Sequence, residues 1–213
     1  MRLCREEVIR YLGYGKNTPD DNISALIDDC ERELLKLESI KYAYKIYDDV
    51  SVSDDTVNIG GMEFESRDLS RHLKGCTRAA VLCATLGAGA DRLRLRCEAL
   101  DMTRALIMDA AQSAYIEQVC DKAMDEIMTH MGSMNATFRF SPGYGDLPLS
   151  YQPMLILMTD AQKRIGLTAT DTHMLTPQKS VTAVIGFTHE DKNCGKNTCE
   201  TCAAREMCRF KRV

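Results

Sequence analysis

No stretch of the chain approaches the roughly 18 consecutive apolar residues that a bilayer span requires, which excludes a membrane helix. The opening Met1-Arg2-Leu3-Cys4-Arg5-Glu6-Glu7 lacks the apolar core of a secretory signal, so the expected location is the cytoplasm. A basic excess is missing too. There are 27 Lys and Arg against 31 Asp and Glu, a net charge of −4, which argues against a protein that grips nucleic acid through a basic face. The expected partners are proteins or small molecules, with neither nucleic acid nor membrane among them. No P-loop is present, because Gly195-Lys196 has no glycine five residues earlier. The histidines, at positions 72, 130, 173 and 189, have no metal-ligand spacing, and no repeat or low-complexity segment is visible.

What remains is an ordinary globular balance. With 213 residues, 45% hydrophobic and 27% charged, the chain can bury a core without disulfide staples. Of its ten cysteines, Cys4, Cys30, Cys76, Cys83, Cys97 and Cys120 lie singly in apolar patterns and are expected to be buried thiols. The other four crowd into the C-terminal tail.

Periodicity outlines the elements. Ile23, Leu26, Ile27, Cys30, Leu34 and Leu37 lie on one helical face over residues 22–38. Alternating runs between Ile40 and Phe64, with turns at Asp54-Asp55 and Gly60-Gly61, predict a small antiparallel meander. Ser66 is placed to cap a short helix that stops at Gly75. The nearly continuous apolar run Arg78 to Thr85 predicts a strand buried on both faces at the centre of the sheet. The pattern turns helical after Gly87-Ala88-Gly89. From Asp101 to Met131, with Met102 and Leu106 among its apolar positions, it predicts one long helix ended by Gly132. A strand at Thr137–Phe140, a loop at Ser141–Leu149, a helix over Ser150–Arg164 and a strand pair, Leu167–Leu175 with Val181–Phe187, complete the reading. Leu86-Gly87-Ala88-Gly89-Ala90-Asp91 follows a buried strand as a dinucleotide fingerprint does, but Arg92 stands where the third glycine belongs.

Two segments can carry chemistry. Cys194, Cys199, Cys202 and Cys208 form C-x4-C-x2-C-x5-C, and four thiolates satisfy either tetrahedral zinc or a four-iron cluster. The compact run favours iron–sulfur, with zinc as the alternative. In Arg139-Phe140-Ser141-Pro142-Gly143-Tyr144-Gly145-Asp146 a strand delivers an arginine into a loop whose glycines permit close backbone approach and whose Pro142 fixes one torsion. Arg139 offers a fork suited to a carboxylate, and Tyr144 a ring face and hydroxyl. A turn with a surface salt bridge is the plainer alternative.

R-x-x-P-G-Y-G-D, the helix ending Ala161-Gln162-Lys163-Arg164-Ile165-Gly166-Leu167, and Leu175-Thr176-Pro177-Gln178-Lys179-Ser180-Val181 together resemble the activation domain of cobalamin-dependent methionine synthase. The likeness is continuous over about fifty residues and extends more weakly upstream through Tyr115-Ile116-Glu117 to Leu69-Ser70-Arg71-His72-Leu73. It implies an α+β fold, a twisted antiparallel sheet with long flanking helices, to which this chain adds a small Cys-rich C-terminal metal module. The expected organisation is an N-terminal helical arm over 1–21, an activation-like domain over 22–188 and a four-cysteine tail over 189–213.

The resemblance further implies S-adenosylmethionine binding by Glu117, Arg139, Pro142, Gly143 and Tyr144. It implies a cobalamin-binding methyltransferase or corrinoid protein as partner, a flavodoxin or ferredoxin-type reductant, and little stand-alone turnover. The role expected from it is reactivation of the partner by presenting a methyl group to reduced cobalamin. Two rival roles are a metal-stabilised module that docks on a corrinoid protein without binding S-adenosylmethionine, and a small-molecule enzyme reusing the fold.

Overall fold

Strand β5 (Arg78–Thr85) organises the molecule. In this computed structural model, which describes residues 2–15, 17–38 and 40–190, β5 lies between β1 (Lys41–Tyr47) and β9 (Ser180–Thr188), and β9 pairs on its far side with the two-residue β6 (Asn135–Ala136). Every pairing in this four-stranded sheet is antiparallel, and Arg78 stands opposite Phe187 while Thr85 stands opposite Ser180.

The apolar run of β5 is continuous because its two faces feed separate cores. Ala80, Leu82 and Ala84, with Ile185 and Phe187 of β9, meet a helical layer of α1 (Arg5–Tyr11), α2 (Asp21–Leu34), α4 (Ala88–Leu100) and α5 (Met102–Met131). Ala79 and Val81, with Val184, face the meander β2 (Val50–Val52), β3 (Thr56–Ile59) and β4 (Met62–Glu65), joined by α3 (Arg67–Leu73) and α6 (Gln152–Thr159). Cys83 packs with Ala43 against Ile156, Ala161 and Ile165, the last two from α7 (Ala161–Ile165). Each fully buried aliphatic side chain contributes roughly 1.5–3 kcal/mol relative to exposure, so a strand buried on both faces is the strongest anchor in the sheet. Leu3 and Val8, from the segment read as an N-terminal arm, are part of the helical-layer core.

Several boundaries differ from the sequence reading. The first alternating run, β1, does not belong to the meander; it pairs with β5 through Tyr42 opposite Ala84 and Ile46 opposite Ala80. The helix expected over Ser150–Arg164 is a 3-10 turn (Leu149–Tyr151) and two helices, broken at Asp160, which is left-handed with φ 53°. The expected pairing of Leu167–Leu175 with the last strand is replaced by a small hairpin, β7 (Thr168–Ala169) with β8 (Leu175–Thr176), while β9 pairs with β5 and β6. Thr137–Phe140 is no regular strand and contributes one bridge, Phe140 to Val184. Met102 and Leu106 are largely exposed, and Cys4 is half-buried while the other five described thiols are buried. Among the described residues no helix is long and apolar enough to cross a membrane.

Candidate functional site

The thirty-residue α5 carries Glu117 in its middle. Asp101 caps its start by accepting from the Thr103 amide at 2.8 Å, and Gly132 ends it with φ 64°. Ala114, Tyr115, Cys120 and Ala123 anchor α5 in the core, which leaves the Glu117 and Asp121 side chains, one turn apart, at the boundary with solvent.

Arg139 reaches this boundary from the segment after β6. Its Nη2 donates to Glu117 Oε2 and its Nη1 to Asp121 Oδ1, each at 2.6 Å. Two residues singled out from the sequence are thereby brought together, and a third, Asp121, joins them. Its signal was present, since Glu117 and Asp121 are spaced i,i+4 and must share a helix face. Burial works against the Arg139 charge, but the neighbouring Cys120, Asp121 and Glu117 outweigh it, and the guanidinium is held above its ordinary value. Cys120 itself is pushed up to about 12, chiefly by burial, so this thiol is un-ionised at neutral pH.

Beyond Arg139 the chain returns to the sheet at Phe140, whose N–H donates to the Val184 carbonyl at 2.9 Å. The loop then closes on itself: Gly143 N–H donates to Leu147 O at 2.7 Å and Tyr144 N–H to Ser141 O at 3.0 Å. Gly143 has φ 96°, a conformation that L side chains rarely adopt, and an added Cβ would stand 3.3 Å from Leu149. Tyr144 is half-exposed, its ring set edge-on to Phe140 at 5.9 Å and 74°. A glycine backbone and a partly exposed aromatic ring therefore occupy one lip.

This lip is fastened to α3. Asp146 accepts from Ser66 Oγ, from the Arg67 amide at 2.9 Å and from the Asp68 amide at 3.2 Å, while Asp68 accepts from the Asp146 amide at 3.2 Å. The Ser66 hydrogen bond holds the Asp146 carboxyl below its ordinary value of 3.8, with the backbone donors adding to it. Gly145 makes the closure possible, because with φ 53° any Cβ there would sit 2.1 Å from Asp68 Oδ2.

Among the solved structures that this chain resembles is the crystal structure of the MetH reactivation domain bound to AdoHcy, at a TM-score of 0.57 and 13% identity, covering 90% of this chain and 78% of that one. The fold is that of the MetH reactivation domain. No protein-family model and no curated protein matches the sequence. The reactivation-domain fold excludes the dinucleotide reading of Leu86–Asp91, since β5 is followed by two successive helices and its sheet partners are antiparallel.

Arg139 and its two carboxylate partners thus set a guanidinium and two acceptors at one face of α5, groups complementary to an anion and to a cation respectively. Cys194, Cys199, Cys202 and Cys208 lie outside the described residues. Among the described residues no group of three or more His, Cys, Asp or Glu could hold a metal ion.

Proposed function

We propose that the chain reactivates a cobalamin-dependent methyltransferase, of methionine synthase type, by binding S-adenosylmethionine and presenting its methyl group to reduced cobalamin on the partner. The observation that carries this reading is the Arg139–Glu117 pair beside the Gly143-Tyr144 lip, in a fold shared with a reactivation domain that holds AdoHcy. Arg139 holds the ligand carboxylate, Glu117 makes a polar contact at the same end, and Pro142, Gly143 and Tyr144 supply the backbone and ring contacts. The partner's cobalamin, once reduced by one electron from a flavodoxin or ferredoxin-type donor, would supply the nucleophile for the sulfonium methyl, and S-adenosylhomocysteine would leave with the electron pair of the broken S–C bond. The protein's share is positioning, so little turnover is expected without the partner.

Calorimetry tests the ligand. Arg139→Ala loses a charge-assisted carboxylate contact and is expected to bind S-adenosylmethionine about tenfold or more weakly while retaining its fold. Equal affinity in the two proteins would remove Arg139 from the site.

A second reading, docking on a corrinoid protein without S-adenosylmethionine, draws on the fact that Glu117 and Asp121 already engage both terminal nitrogens of Arg139. Absence of any calorimetric signal together with copurification of a corrinoid protein would favour it. The four tail cysteines we assign to an iron–sulfur cluster able to relay the electron, with structural zinc as the alternative. The absorption spectrum and metal content of anaerobically purified protein distinguish the two, and neither metal above trace level would overturn both.

A further inference from the structure

Glu117 and Asp121 place two negative charges on one guanidinium, so the cluster carries a net charge of −1. A ligand carboxylate that enters alone must displace one of them and leave three anions around a single cation. Asp121 is the one that yields, being 67% exposed against 44% for Glu117, because an exposed carboxylate regains its hydration at least cost. A ligand that also carries an ammonium group gives the displaced Asp121 a new partner. A plain carboxylate does not.

Resting on the ligand reading above, we propose that Asp121 is a specificity-determining residue: it competes for Nη1 of Arg139, so that the site admits an amino-acid zwitterion and rejects a carboxylate that brings no cation. The proposal goes beyond ligand binding by Arg139 itself, since it assigns selectivity to a carboxylate that occupies the fork before the ligand does.

The test is calorimetry on the full chain with three probes: S-adenosylhomocysteine, its analogue lacking the α-amino group, and 5′-methylthioadenosine, which lacks both the α-amino group and the carboxylate of the amino-acid end. The wild type is expected to prefer S-adenosylhomocysteine over the deaminated analogue by roughly tenfold. In Asp121→Asn the analogue gains about threefold or more, so the preference shrinks, while methylthioadenosine binds as before. Asp121→Ser is expected to behave likewise, which guards against Asn itself accepting from the guanidinium, and Asp121→Glu, which keeps the competing charge, retains the wild-type ratio. An unchanged ratio in both the Asn and Ser variants, with the wild type binding the probes, overturns the role of Asp121 and leaves the ligand reading standing. A wild type that binds none of the three overturns the ligand reading and this proposal together.

Discussion

Asp146 shows how a single carboxylate can set a loop. It gathers the Ser66 hydroxyl and two α3 amides, and Ser66 in turn caps α3 by accepting from the Leu69 amide at 3.0 Å. Because the folded carboxyl is held below 3.8, its contribution to stability is complete above the unfolded value and is lost as pH falls through the folded one. Asp146→Asn is therefore expected to lower stability at neutral pH and to flatten the acid limb below about pH 4, as read from urea midpoints across pH. An acid limb identical to that of the wild type would remove Asp146 from that role. At this scale the sequence was legible wherever the partner is local. Ser66 could be read as a cap because its acceptor role spans three residues. The Asp146 clasp could not be read, since its partners lie about eighty residues away.

Elements were legible where the pattern is unambiguous, a continuous apolar run in β5 and a helical repeat in α5, and illegible where pairing decides. Nothing in Tyr42-Tyr44-Ile46 distinguishes a meander strand from a strand of the main sheet. The choice falls to β5, whose alternate residues require covering on both faces and which has a bare edge for β1 to pair with. Likewise Ser150–Arg164 reads as one helix because an aspartate that adopts φ 53° leaves no mark in a hydrophobicity pattern. The contact between β9 and α3 carries a prediction of its own. Gly186 is stationed where a Cβ would lie 2.6 Å from both Cys76 Sγ and Leu73 Cδ2. Gly186→Ala must displace the Cys76 and Leu73 side chains at the α3 end and is expected to cost about 1–3 kcal/mol by chemical denaturation. A midpoint equal to the wild type would mean that these side chains give way at no cost. Since α3 holds the loop through Asp146, the same variant is expected to weaken S-adenosylmethionine binding as well.

On the scale of the whole molecule, both cores meet at the β5–β9 pair, and its strands lie about a hundred residues apart in sequence, Arg78 opposite Phe187. Pairing so distant is slow, because the intervening chain must be closed into a loop before any contact rewards it. During synthesis β5 leaves the ribosome with β1 on one edge and nothing on the other until β9 follows. Its other edge is meanwhile an apolar template open to neighbouring chains. A chain stopped after residue 179 is expected to show no cooperative melting and to sediment as aggregate, and a soluble monomer with a sharp transition would contradict this. The placement of β9 thus delays closure of the described fold until about a hundred residues have followed β5, an interval in which the open edge is exposed to chaperone capture. Substitutions that slow emergence of β9 would then lower cellular yield without changing the stability of the finished protein.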